Sequence, residues 1–183
     1  MTTHDDRAAA AGPPFICGDI DIRIAADGTW FHEGGPIGRK PLVKLFAGVL
    51  QRDDDGDYWL VTPVERARIR VEDAPFLAVD VTATGEGRDQ MLRFRTNLDD
   101  EVVAGPEHPI EFRPRPNGEI APYVTVRAGL EALAVRAVWY RLAELLVETD
   151  IDGEPTPGLW SGGHFFRYQP DEDEGEAGAM PGA

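Results

Sequence analysis

From Asp19 the run Asp-Ile-Asp-Ile-Arg-Ile alternates charged with apolar residues, the period of a strand buried on one face. Asp27-Gly28 before Thr-Trp-Phe predicts a hairpin turn into a second strand. The period then changes: Leu42, Leu45, Phe46 and Val49 stand at i, i+3, i+4 and i+7 within 39–50, and Pro41 occupies the first turn, where its missing N–H costs nothing. A short amphipathic helix is expected there, ended by Asp53-Asp-Asp-Gly56. Strands are predicted at 58–62, 66–71, 76–82 and 91–96, separated by Pro, Gly and acidic turns. Ile110-Glu-Phe, the hairpin signal Asn117-Gly118 and Tyr123-Val-Thr-Val continue the β pattern. A second helix follows, with Val135, Val138, Trp139, Leu142, Leu145 and Leu146 on one face. After a Gly- and acid-rich turn comes the aromatic strand Gly163-His-Phe-Phe-Arg-Tyr168.

Strand, Gly turn, strand, helix, acidic loop and strand thus occur twice. Moving the second helix back by 97 positions sets Arg136 on Arg39, Arg141 on Lys44, Leu142 on Leu45 and Leu146 on Val49. The competing explanation is that any two amphipathic helices slide into such a match. The expected fold class is α+β: duplicated strand-strand-helix-strand units forming antiparallel sheets, each packed by one helix. A break near Asp73-Ala74-Pro75 predicts an N-terminal domain over 15–74 and a C-terminal domain over 75–170. Residues 1–14 and 171–183 are expected to be disordered, because their Ala-, Pro- and acid-rich composition offers little apolar surface to offset ordering entropy.

Charge narrows the function classes. The 183 residues hold 18 Lys+Arg against 33 Asp+Glu, a net charge of -15, which excludes a protein that tracks nucleic-acid phosphates. The stretch 15–170 still carries 26 acids against 17 bases. No apolar run approaches the roughly 18 residues of a membrane helix, so no membrane partner is expected. The single cysteine, Cys17, forbids an intramolecular disulfide, and the start Met1-Thr-Thr-His has neither a basic nor an apolar leader region; cytoplasmic residence is the expectation.

Catalytic signatures are sparse. Cys17 has no lysine nearby in sequence to depress its pKa, and reads as a packed thiol rather than a nucleophile. Ser161, the chain's one serine, lies in Trp160-Ser-Gly-Gly and reads as a loop-shaping residue, with no Gly-x-Ser-x-Gly elbow. His4, His32, His108 and His164 stand singly, without metal-ligand spacing. Asp53-Asp-Asp-Gly-Asp57 resembles half a calcium loop but has Pro63 or Val64 where the bidentate Glu belongs, so it reads as a solvated turn. No metal site and no cofactor are expected.

Basic residues are scarce and therefore informative. The chain's two lysines, Lys40 and Lys44, follow Gly34-Gly-Pro-Ile-Gly38 with Arg39 at a helix start, the arrangement of an anion cradle; a flexible turn with a solvated basic end is the alternative. Arg66, Arg68 and Arg70, Arg93 and Arg95, and Arg113 and Arg115 each project from one face of a strand. Two readings stand for them: a guanidinium-lined face for a carboxylate or phosphate, or an outer sheet face cross-paired with Glu65, Glu72, Asp80 and Glu111.

The runs Cys17-Gly-Asp-Ile-Asp-Ile-Arg-Ile, Asp27-Gly-Thr-Trp-Phe, Pro36-Ile-Gly-Arg-Lys-Pro-Leu-Val-Lys-Leu-Phe, Tyr58-Trp-Leu-Val-Thr-Pro-Val-Glu and Leu92-Arg-Phe-Arg-Thr-Asn resemble the bacterial DUF1285 family over most of residues 16–168. The resemblance implies a duplicated α+β arrangement whose C-terminal half is superficially like pleckstrin-homology domains. It also implies a role in signalling by binding a nucleotide-like ligand between the halves. It places Arg39 and Lys40 in the family's helix-start motif and Arg93, Arg95, Thr96 and Asn97 in its Arg-Phe-Arg-Thr-Asn motif. Arg136 is the counterpart at the second helix, where Ala137 stands in place of the proline expected of the family.

The resulting expectation is a non-enzymatic cytoplasmic protein that binds a small anionic ligand where Arg39, Lys40, Arg93 and Arg95 converge, with Thr96, Asn97 and Arg136 contributing. The alternative is a protein-interaction module, with the aromatic strand Phe165-Phe-Arg-Tyr168 as its edge. A hydrolase or transferase reading would need Asp19 or Asp99 beside the Arg cluster.

Overall fold

Alternation of apolar and charged side chains runs through most of the chain, and those stretches pair into sheets in the computed structural model, which describes residues 15–169. The first half contributes β1 (Phe15–Ile24), β2 (Trp30–His32), β3 (Gly35–Pro36), helix α1 (Lys40–Gly48), β4 (Leu50–Arg52), β5 (Tyr58–Val61) and β6 (Glu65–Val71). They form a six-stranded sheet of order β3-β2-β1-β6-β5-β4. The second half contributes β7 (Phe76–Thr84), β8 (Met91–Thr96), β9 (Glu101–Val103), β10 (Ile110–Pro114), β11 (Ile120–Arg127) and β12 (Leu130–Ala134). Their order, β10-β11-β12-β7-β8-β9, is the same path read from the other edge. Helix α2 (Arg136–Glu144) follows, then a three-stranded sheet of β13 (Val147–Ile151), β14 (Glu154–Ser161) and β15 (His164–Arg167).

The fold is therefore α+β, mostly sheet, with two similar six-stranded halves. The repeated unit differs from the expected strand-strand-helix-strand. Each half is two three-stranded meanders joined at the centre by a parallel pair, β1 with β6 and β12 with β7, so the sheets are not wholly antiparallel. The helices are not equivalent either: α1 lies between the third and fourth strands of its half, where the second half has a loop, and α2 comes after the sixth strand. The 97-residue helix match therefore relates two amphipathic helices that hold different places in the repeat. The ends expected to be disordered, 1–14 and 171–183, lie outside the described residues.

Local chemistry sets the turns. Gly28 takes φ 80° between β1 and β2, and Asp27 Oδ1 accepts from Thr29 N at 2.9 Å, closing the hairpin read from the sequence. The α1 face is rotated from the expected one: Val43 and Ala47 are buried and Phe46 stacks on Trp30 at 6.2 Å, whereas Leu42 and Leu45 are 36% and 65% exposed. Apolar spacing admits both solutions. The observed face buries Val43 and Ala47 and stacks Phe46 on Trp30, and it also sets Lys40 and Lys44 against Asp99 of the second half. In α2 the expected face is kept, with Val138 and Leu142 buried.

One apolar cluster runs through both halves, including Ile24, Trp30, Phe76, Leu92, Phe94, Leu130, Leu142 and Leu159, each at most 1% exposed except Leu130 at 2%. Each such side chain contributes about 1.5–3 kcal/mol of transfer free energy. Ser161 fastens the three-stranded sheet to this core: its Oγ donates to Ala104 O at 2.7 Å and accepts from Leu92 N at 2.9 Å. Gln90 adds a second tie, donating to Trp160 O at 2.8 Å.

Candidate functional site

The expected anion-binding residues do not share one hollow. Arg39 is exposed at the N-cap of α1 with no carboxylate partner among the described residues. Lys40 and Lys44 both reach Asp99 Oδ2, at 2.9 and 2.8 Å, and clamp α1 to the β8–β9 turn. These two lysines, with Lys44 first, pull the Asp99 carboxyl down to about 2. Arg93 and Arg95 project from the exposed face of β8 toward Glu101 and Asp80, at 3.8 and 3.9 Å. Thr96 is fully buried, its Oγ1 accepting from Leu98 N and Asp100 N to shape the turn. Asn97 Oδ1 accepts from Leu77 N at 3.0 Å, and its amide packs against Gly28 of the first half.

The strand arginines are cross-paired with acids, Arg95 with the expected Asp80 and Arg113 with the expected Glu111, whereas Glu65 and Glu72 turn to Cys17 and Arg23 and the other arginines take other carboxylates. Arg68 bridges Asp19 at 2.5 Å and Asp57 at 3.1 Å, Arg66 pairs with Asp53 while stacking on Trp59 at 3.9 Å, and Arg113 pairs with Glu131 at 2.5 Å. Asp19 and Asp99 are thus both held as ion-pair partners. Cys17 is exposed, and its Sγ lies 3.4 Å from Glu65 Oε2, a hydrogen bond and a like charge that push the thiol up and away from reactivity. Among the described residues no group of three or more His, Cys, Asp or Glu is arranged to hold a metal. No helix there is long and apolar enough to cross a membrane.

Charge separates four of the surface hollows lined by described residues. One of about 510 Å³ over β1 and β6 has three acids, Asp19, Asp21 and Asp57, against Arg68 and Arg70. A small one of about 220 Å³ between α1 and the β8–β9 turn balances Lys44 and Arg127 against Asp99 and Asp100. A third balances Arg23 and Arg70 against Asp57 and Glu72. The hollow at the start of α2, about 430 Å³, instead has Arg115 and Arg136 against Glu119 alone, with Trp139 and Tyr140 as aromatic walls and Ala121 and Ala134 in the lining.

Both guanidiniums of the α2 hollow are fixed through Nε. Arg115 Nε donates at 3.1 Å to Oδ2 of Asp73, a carboxylate whose side chain is 4% exposed and which also accepts from Tyr123 Oη at 2.6 Å. Burial, reinforced by Asp73, holds the Tyr123 hydroxyl well above its ordinary range, so Tyr123 stays a donor. Arg136 Nε donates at 2.6 Å to Tyr140 Oη, one helical turn along, and the guanidinium lies 5.4 Å from that ring. Trp139 is braced from behind by Phe112 and Tyr168, each 5.7 Å from it. The Nη groups of Arg136 have no internal acceptor among the described residues, and Arg115 Nη1 has Glu119 at 3.8 Å. Two oriented forks beside aromatic faces can bind an oxyanion attached to a planar ring.

Of this site, Arg136 was legible as a candidate, and Arg115 as a member of a strand pair. Tyr140 and Glu119 were missed, although signals existed: Arg136 and Tyr140 stand at i and i+4 on a helix, and the Asn117-Gly118 turn sets Arg115 opposite Glu119, with Arg115 N donating to Glu119 O at 2.8 Å.

Fold and hollow define an α+β protein of two like sheets with a basic, aromatic-walled depression beside its second helix. Residues 11–74 match the N-terminal domain model of the DUF1285 domain of unknown function, and residues 75–168 match the C-terminal domain model of the DUF1285 protein of unknown function. The chain belongs to the DUF1285 family. It is similar to the crystal structure of a DUF1285 family protein from Silicibacter pomeroyi DSS-3, with 50% identity and a TM-score of 0.80 over 88% of this chain and 86% of that one. A DUF1285 family protein from Shewanella baltica OS155 is 28% identical, with a TM-score of 0.53 over 68% of this chain and 91% of that one. Among curated proteins none matches.

Proposed function

We propose that the protein is a non-enzymatic cytoplasmic binder of a small anionic, nucleotide-like ligand used in signalling, and that the hollow at the start of α2 is its site. The observation that carries this is the pair Arg115 and Arg136, each anchored through Nε and both lining one hollow with Trp139 and Tyr140. A preset fork loses less side-chain entropy on binding than a free one. The interface between the halves is a weaker candidate, because Lys40 and Lys44 are already neutralised there by Asp99. The pleckstrin-homology-like arrangement of the C-terminal half belongs to the same reading; six strands followed by a packed helix support it.

Thermal-shift titration with mononucleotides at low and raised salt tests the proposal. A ligand at 100 times its Kd stabilises by about 2.7 kcal/mol. Arg136→Ala is expected to abolish the shift, and no shift with any nucleotide would overturn the reading. One observation favours an interaction module instead: Leu42 and Leu45 face solvent on α1 beside unpaired Arg39. β15 is an outer strand of its three-stranded sheet, but its side chains offer a partner little apolar surface, since Phe166 is 9% exposed and Phe165 packs 5.1 Å from Trp160.

A further inference from the structure

Glu119 is the single acid lining the α2 hollow, and it is poised against the two guanidiniums. Its Oε2 accepts from Asn117 Nδ2 at 3.0 Å and lies 3.8 Å from Arg115 Nη1, and its side chain is 73% exposed. Its charge also reaches Arg136, which the Tyr140 hydrogen bond, with a smaller contribution from Glu119, holds above its ordinary value. A carboxylate on an exposed hairpin, at a separation too long for a hydrogen bond to Arg115, is a weak ion-pair partner. The other anchor of Arg115, Asp73, is nearly buried and bonded twice, so it stays when Glu119 leaves.

Resting on the reading of the hollow as an anion site, we infer that Glu119 is a built-in stand-in anion and that the hollow selects doubly charged phosphate monoesters over singly charged phosphates. A monoanion that displaces Glu119 exchanges one negative charge for another and gains little. A dianion leaves the two forks with one further charge to neutralise, at short range and partly out of water. The aromatic walls hold the ring of either ligand equally, so discrimination comes from charge.

Isothermal titration of the full chain with adenosine 5′-monophosphate and adenosine 3′,5′-cyclic monophosphate at pH 7.5 separates the outcomes. The monoester carries about −1.5 to −2 at neutral pH, and the cyclic diester about −1. The expected result is binding of the monoester about tenfold or more tighter than the diester, with both ligands binding about threefold or more tighter to Glu119→Gln and the gap between them retained. Arg115→Ala is expected to remove the preference while circular dichroism remains unchanged. Equal affinities in the native chain would overturn the dianion selection and leave the anion site standing. Unchanged affinities in Glu119→Gln would overturn the role of Glu119. Absence of heat with both ligands would overturn the site itself.

Discussion

Asp99 concentrates several demands on one residue. It holds φ 69°, a left-handed conformation that aspartate tolerates better than bulkier side chains, and there it receives both lysines of the chain. Its folded pKa of about 2 lies below the ordinary 3.8, so the clamp adds stability above the ordinary value and loses it as pH falls toward 2. Carboxyl NMR titration should find a midpoint near 2, whereas a midpoint near 4 would mean the lysines do not hold it. Asp99→Asn should leave the fold intact at pH 7 and raise amide exchange in α1. Asn97 is the second test at this scale: Asn97→Ala strands the Leu77 N–H and should cost about 1–3 kcal/mol in urea unfolding. Sequence reasoning singled out Thr96 and Asn97 as ligand-binding candidates, but motif spacing cannot tell whether a polar side chain faces a ligand or its own backbone, and both side chains bond backbone here.

Elements with strong alternation were legible: β8 was bounded as Met91–Thr96 from sequence, and β6 and the core of β7 were found. Six strands were not. β3, β4 and β9 are two or three residues long, too short to establish a period. β12 reads Leu-Glu-Ala-Leu-Ala, good helix formers, yet it is a strand because its residues fill the slot beside β7, where Ala132 is fully buried. β14 carries Pro155, Pro157 and Gly158, which signal a turn, but its pairing with β13 and β15 leaves no room for more: a Cβ at 158 would overlap the Phe166 carbonyl. Gly158→Ala is accordingly expected to destabilise by about 1–3 kcal/mol. Ser161→Ala removes the acceptor of Leu92 N and the donor to Ala104 O together, and should cost about 2 kcal/mol, read as a lowered urea midpoint with unchanged slope.

At the scale of the molecule, twelve of the seventeen Lys and Arg side chains among the described residues are paired with carboxylates. That pairing is why a cluster of bases in the sequence did not become a basic cleft: an acidic chain supplies most of its strand arginines with a carboxylate neighbour. The hollow beside α2 was hard to read because it joins residues from the β10–β11 hairpin, the start of β11, the end of β12 and a helix start. The surplus of -15 is uncompensated over the whole chain, and its repulsion acts over longer distances than the short pairs do. Raising sodium chloride from 10 to 150 mM should therefore raise Tm by calorimetry; a fall would mean the cross-strand pairs dominate. The central parallel pairs have a consequence for synthesis. β1 emerges from the ribosome first, yet its neighbour on one side, β6, is the last strand of its half to be made. β7 waits in the same way for β12. Until residue 71 has been translated, the first half carries an open seam at its middle rather than at its rim. Neither half can close progressively from its start; each is sealed by its final strand.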